Sequence, residues 1–277
     1  MKNIVSIMAV ATMALVLVSC GPKKEKEPKK LVLYYSQTSN TKAVAQEFAT
    51  RLNADIDEIL AVEPYNGDFK ATIERAAKER EEGVTPDILP LNVEVKNYDI
   101  IFLGYPIWFG TYAPPVATFL ERTDLQGKTI VPFCTFGSGG LVSSVKDLAL
   151  AEPDAFIPCC YGIRAARLEA MPAEVDQFLK ENHFLKGEFT ILGDFDELRP
   201  VEEADAAIFE AAVGDYPMMN AKPEAVCTRP IPGGTGYLFI AVDLPREDMP
   251  DMPPAGQMKV YVDAINGKTP EFTQVVR

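Results

Sequence analysis

Hydrophobic positions in residues 30–185 fall in short continuous runs. Between the runs lie longer stretches in which apolar residues recur every three or four positions. The runs predict strands at Leu31–Tyr35, Ala54–Val62, Ile100–Gly104, Thr129–Cys134 and Phe156–Ile163. The periodic stretches predict helices over Thr41–Leu52, Phe69–Glu81, Pro115–Glu121, Leu141–Leu148 and Pro172–Glu181. Continuous rather than alternating apolar strands suit a parallel sheet buried on both faces. Five β-α units in succession predict an α/β fold, a doubly wound five-stranded parallel sheet. Such sheets bind ligands beyond the carboxyl ends of their strands, where the strand order reverses. Function is therefore expected in the segments after the first, third and fourth strands.

Past residue 185 the rhythm changes. A strand at Glu188–Leu192 and a helix over Val201–Val213 precede four strands, Ala225–Ile231, Tyr237–Asp243, Met258–Ala264 and Phe272–Val276. PGGTG at 232–236 and NGKT at 266–269 read as hairpin tips. Residues 186–277 are thus expected to form a small α+β domain, one helix packed across a curled antiparallel sheet.

The first 29 residues follow neither pattern. Lys2 precedes an apolar stretch, Ile4 to Val18, that is short for a membrane span and runs into Leu17-Val18-Ser19-Cys20. That tetrad resembles the lipobox of bacterial lipoproteins. The resemblance implies a signal peptide over residues 1–19, cleavage before Cys20 and lipidation of the Cys20 thiol. The product would be a membrane-anchored lipoprotein of the cell envelope, on its periplasmic face or at the cell surface. Residues 20–29 read as a charged tether, since the stretch GPKKEKEPKK at 21–30 holds five lysines, two glutamates, two prolines and no large apolar side chain.

Composition narrows the chemistry. The 277 residues are 47% hydrophobic, enough for two cored domains, residues 30–185 and 186–277. A formal charge of -13 offers no basic face to nucleic acid; it serves solubility and favours cationic partners. His183 is the only histidine, which removes His-rich metal sites and most histidine acid–base catalysis. None of the five cysteines (Cys20, Cys134, Cys159, Cys160 and Cys227) stands in a C-x-x-C spacing, and no metal site is expected. Cys134 ends the fourth predicted strand and Cys159-Cys160 lie on the fifth. They read as buried thiols, with a disulfide chemically open outside the cytoplasm.

Three segments stand out at the carboxyl edge of the predicted sheet. After the first strand comes Ser36-Gln37-Thr38-Ser39-Asn40-Thr41. One capping residue would start the following helix; six small polar residues exceed that need. Hydroxyls and backbone N–H groups over a helix N-terminus make an anion site that needs no lysine. Neither a Walker loop nor a dinucleotide fingerprint is present. After the third strand, GYPIWFGTYAPP at 104–115 holds Trp108, the only tryptophan, placed either to pack in the core or to meet a planar ligand. After the fourth, CTFGSGGLVSS at 134–144 has glycines that admit close approach of a ligand or make a simple turn.

Together the three segments resemble the flavodoxin family over the whole first domain. The family's phosphate loop reads T/S-x-T-G-x-T. The resemblance implies that residues 36–41 hold the phosphate of FMN, with Ser36, Thr38, Asn40 and Thr41 as its main ligands. It implies that Trp108 sits on the flavin with Pro106, Ile107, Phe109 and Gly110 lining the ring. Thr135, Phe136, Gly137, Ser138 and Gly139 would meet the pyrimidine edge through backbone groups. Two departures are visible: Ser39 replaces the loop glycine, and the third loop lacks the stacking tyrosine, leaving Phe136 as its only aromatic. In such a site the flavin supplies the chemistry and the protein supplies orientation and electrostatics.

Residues 186–277 resemble the cystatin/stefin fold, through RPVEEADAAIFEAAV as its helix and PIPGGTGYLFIAVD as its first hairpin. Pro230 stands where that family's inhibitory glutamine would be, and the hairpin around Gly267 lacks the usual hydrophobic-proline tip. This predicts a scaffold or a docking module for a protein partner rather than a protease inhibitor. The combined expectation is a lipid-anchored, FMN-binding electron carrier with a redox partner protein, more a carrier than an enzyme with its own substrate. The alternatives are a flavin-free, non-catalytic surface module and an FMN-dependent NAD(P)H:quinone-type reductase.

Overall fold

A computed structural model describes residues 27–65, 68–214, 216–217, 219–245 and 256–277. The expected signal peptide, Cys20 and most of the expected tether lie outside the described residues. In chain order the first unit holds β1 (Lys30–Tyr34), α1 (Asn40–Leu52), β2 (Asp55–Glu58), α2 (Phe69–Glu82), β3 (Ile100–Trp108), β4 (Thr111–Tyr112), α3 (Pro114–Arg122), β5 (Thr129–Phe136), α4 (Leu141–Ala151), β6 (Tyr161–Arg164) and α5 (Met171–Glu181). Five strands run parallel in the order β2-β1-β3-β5-β6, and β4 folds back antiparallel on β3. The order reverses at β1, and both β1 and β5 neighbour β3.

The pleat explains why these strands are apolar throughout. Leu31, Leu33, Ile101 and Leu103 point to one face, which packs with Val116 and Phe119 of α3 and Leu148 of α4. Val32, Phe102, Val131 and Phe133 point to the other, covered by Val44 and Phe48 of α1 and Val175 and Phe178 of α5. Phe48 stacks on Phe133 at 4.9 Å between ring centroids.

The second unit holds β7 (Arg199–Pro200), α6 (Glu203–Val213), β8 (Ala221–Ile231), β9 (Gly234–Asp243), β10 (Gln257–Ile265) and β11 (Glu271–Val276). Its strands form a separate antiparallel sheet in the order β11-β10-β9-β8-β7. Phe209 and Val213 of α6 pack on Val226, Phe239, Val260 and Phe272. The expected five-stranded parallel sheet and the antiparallel second sheet are thus both present.

Several boundaries differ from the sequence reading. The expected strand at Glu188–Leu192 does not form; among the described residues no strand pairs with the segment, and Ile191 is 82% exposed. The strand expected from Phe156 begins only at Tyr161, which places Cys159-Cys160 ahead of it. The strand expected over Ala54–Val62 covers Asp55–Glu58 alone. In contrast β3 runs on to Trp108, because Ile107 and Trp108 pair with Tyr112 and Thr111 in a hairpin. Among the described residues, no helix is long and apolar enough to cross a membrane.

Candidate functional site

The three expected segments lie side by side at the carboxyl edge of the parallel sheet. The first turns from β1 into α1. Ser39, the residue before α1, has φ 67°, the left-handed conformation that a glycine adopts without strain, and its side chain caps nothing. The Ser36 hydroxyl accepts the Lys42 N–H at 3.2 Å, and the Ser39 carbonyl accepts that of Ala43 at 3.0 Å. Among the described residues, the N–H groups of Thr38, Ser39, Asn40 and Thr41 meet no acceptor. The positive end of the α1 dipole therefore lies at this hydroxyl-bearing turn. The Gln37 amide donates to the Tyr65 carbonyl and lies 3.4 Å from the Thr72 hydroxyl. Lys42 is engaged with Glu58 at 3.1 Å.

The second segment is a hairpin. Phe109 (φ 51°) and Gly110 (φ 80°) both take positive φ, the requirement of a tight type I′ turn. Trp108 is half-buried on the strand end, its ring edge-on to Tyr35 at 5.9 Å and to Tyr65 at 5.1 Å. The sequence reading had placed it in a loop; it belongs to a tyrosine–tryptophan cluster with one edge open. Burial pushes both tyrosine pKa values up, and the hydrogen bond of Tyr65 to Glu79 adds to its shift. Phe109 is 43% exposed at the tip, and the Arg80 guanidinium lies 5.8 Å from its ring. Pro106 and Ile107 are half-buried along the same strand.

The third segment follows β5. Thr135 is buried, its hydroxyl 2.8 Å from that of Thr41, which ties the first loop to the strand feeding the third. Phe136, the residue expected to replace a stacking tyrosine, is 4% exposed and packs in the core. Beyond it the chain is held by side chains and backbone from elsewhere. The Arg164 guanidinium donates to the Gly137 carbonyl at 2.7 Å, and the Val275 N–H donates to the Ser138 carbonyl at 2.8 Å. The Ser143 hydroxyl lies 2.6 Å from the Gly110 carbonyl and 3.0 Å from that of Gly140, joining the second and third segments. The N–H groups of Gly137 and Ser138 have no acceptor among the described residues.

Residues 29–160 match the family model described as flavodoxin. This segment belongs to the flavodoxin family. A candidate flavoprotein from Bacteroides eggerthii is 30% identical, the match covering 54% of this chain and 96% of that one with a TM-score of 0.46. For a candidate flavoprotein from Bacteroides uniformis the values are 26%, 55%, 99% and 0.49. A flavoprotein from Lactobacillus acidophilus, solved in complex with FMN, gives 24%, 49%, 93% and 0.45. An uncharacterized protein of Methanocaldococcus jannaschii is 32% identical over 110 residues, so the chain spans 55% of that relative's length.

A cavity of about 830 Å³ opens beside the flavodoxin segment's second and third loops. Ile107, Phe109 and Gly110 line one side, residues 137–140 another. Val142, Ser143 and Lys146 of α4 line it as well, and a further wall was not foreseen: it comes from the second unit, through Tyr216, Asp243 and the last strand from Gln274 onward. The first loop, Pro106, Trp108, Thr135 and Phe136 do not line it. The only sequence signal for the unforeseen wall was negative, a third loop of the flavodoxin pattern without its aromatic.

The charged side chains that line the cavity are Lys146, Asp243 and Arg277. Burial pushes the Cys134 thiol up to about 12 and that of Cys159 up to about 11, so both stay protonated at neutral pH. Cys134, Cys159, Cys160 and Cys227 are free thiols. Among the described residues, no group of three His, Cys, Asp or Glu side chains could hold a metal ion.

Proposed function

We propose that the chain binds FMN at this edge and works as an electron carrier, held at a membrane of the cell envelope by lipid on Cys20. The observation that carries the reading is the open N-terminus of α1. Among the described residues the N–H groups of residues 38–41 meet no protein acceptor, and with the Thr38 and Ser39 hydroxyls beside them they suit a phosphate dianion without a lysine. The residues present fit the rest of the group as well. Two unclaimed N–H groups, at Gly137 and Ser138, suit the carbonyl-rich edge of a flavin, and the cavity between the second and third loops has room for its ring.

Bound FMN would supply one- and two-electron transfer. The chain's own part is to bind the phosphate through residues 38–41, to place the ring in the cavity beside Ile107 and Phe109, and to present backbone donors from the third loop. No acid–base side chain is required for that, consistent with the single histidine. The acidic body disfavours added negative charge on the ring and so lowers its reduction potential. A reductase reading draws support from the same cavity, which has room for a small acceptor beside the second and third loops.

The test is absorption spectroscopy on residues 20–277 with Cys20→Ser, titrated with FMN and with riboflavin. The expected result is a perturbed flavin spectrum, quenched Trp108 emission, and FMN bound at least about a hundredfold tighter than riboflavin, the worth of two charge-assisted hydrogen bonds. Failure to take up FMN overturns the proposal. Turnover with NAD(P)H and a quinone would move the protein from carrier to reductase.

A further inference from the structure

The glycines of the third loop are matched to the second unit. A β-carbon at Gly137 would lie 2.9 Å from the phenolic oxygen of Tyr216, and one at Gly139 would lie 2.1 Å from the Val275 carbonyl oxygen. Gly139 and Val275 form a parallel β-bridge, so the last strand docks on the loop backbone itself. Arg164, 7% exposed, secures the junction. It donates to Gly137 on one side and to the Phe272 carbonyl at 2.8 Å on the other, with its guanidinium 3.3 Å from the Phe272 ring centroid. Tyr216 packs on the same Phe272 at 5.2 Å and lines the same cavity as Phe109 and Ile107. The loop's own aromatic, Phe136, is buried away from that space.

We infer that the second unit completes the flavin site: Tyr216 is the aromatic that faces the ring across the cavity, and Arg164 is a positioning residue that holds the third loop against the last strand. The inference rests on the FMN reading above and goes beyond it, for it assigns a binding role to a residue outside the flavodoxin segment. It also gives the second unit a task in binding rather than only in docking a partner.

FMN affinity and midpoint potential are to be compared for residues 20–277 (Cys20→Ser) without further change, with Tyr216→Phe and with Tyr216→Leu. Tyr216→Phe keeps the ring and is expected to stay within about twofold of the parent. Tyr216→Leu is expected to weaken FMN by about three- to tenfold, the range for loss of an aromatic contact, and to shift the midpoint potential. Equal affinity and potential in a folded Tyr216→Leu protein would overturn the inference and leave the FMN reading intact. Should Tyr216→Leu fail to fold, hydrogen exchange on the parent decides. FMN is expected to add protection around Tyr216 and along Phe272–Val276 as well as at residues 38–41; protection confined to the first loop would overturn it. A parent that takes up no FMN removes both readings at once.

Discussion

Ser39 adopts a backbone conformation that costs a non-glycine residue about 1–2 kcal/mol. Its side chain makes no capping bond in return. Ser39→Gly is therefore expected to stabilise the protein by about 0.5–1 kcal/mol, the steric relief less glycine's larger unfolded-state entropy. A shift of the urea midpoint upward at unchanged slope would show it; a downward shift would mean that the serine hydroxyl contributes more than the strain removes. Asp205 is the opposite case, a residue fully engaged. One of its oxygens accepts from Arg199 Nη2 at 2.9 Å, the other from Arg199 Nη1, and it closes a capping box with the Glu202 N–H at 3.0 Å. The Arg199 guanidinium holds the Asp205 carboxyl below its ordinary value, helped by the Glu202 N–H against a smaller effect of burial. A depressed folded value stabilises the fold above the unfolded value of about 3.9 and loses that contribution as pH falls through the folded value. Asp205→Asn is thus expected to cost about 1–2 kcal/mol at pH 7. The gap between variant and parent should close as urea midpoints are followed from pH 5 down to pH 2.

At the scale of elements, the contact between the third loop and β11 makes the sharpest prediction. Gly139→Ala would drive a methyl group into the Val275 carbonyl, so loop and strand must separate and the Val275–Ser138 hydrogen bond is lost. The expected cost is about 1–3 kcal/mol, read as a lower midpoint of thermal unfolding. Such an element-to-element contact is what the sequence did not disclose. Strands β1, β3 and β5 were legible because burial on both faces leaves a continuous apolar run. The open turn before α1 was legible because it is local, six polar residues between a strand and a helix. The extension of β3 through Trp108 was not, since its turn is closed by Phe109-Gly110 instead of the Asn-Gly or Asp-Gly that marks a type I′ turn. Glu188–Leu192 misled in the other direction: its apolar residues suit a strand, but among the described residues no strand pairs with it. Tyr216 and Val275 were invisible because each meets the third loop across a long stretch of chain, and no spacing rule reaches so far.

For the whole molecule, the question is whether two sheets with separate cores behave as one cooperative body. The junction is built from charge as well as backbone. Burial pulls the Arg164 pKa below its ordinary value, and the guanidinium donates to the Gly137 and Phe272 carbonyls. Beside it Arg167 pairs with Glu174 of α5 at 3.0 Å and with Glu271 of β11 at 3.3 Å, bridging the two units a second time. Removing Arg164 leaves the Gly137 and Phe272 carbonyls without their donor, and each charge-assisted bond of this kind contributes roughly 1.5–3 kcal/mol. The parent is therefore expected to unfold in one calorimetric transition, with van't Hoff and calorimetric enthalpies in agreement. Arg164→Met is expected to split it, the second unit melting first. FMN then separates coupling from mere adjacency. A ligand that binds only the folded state raises the transition of every part that unfolds with its site. In the parent, FMN should raise the single transition as a whole. In Arg164→Met it should raise the flavodoxin segment's transition and leave the other where it was. If the parent already shows two transitions, and only one responds to FMN, the second unit is a neighbour of the site and not a part of it.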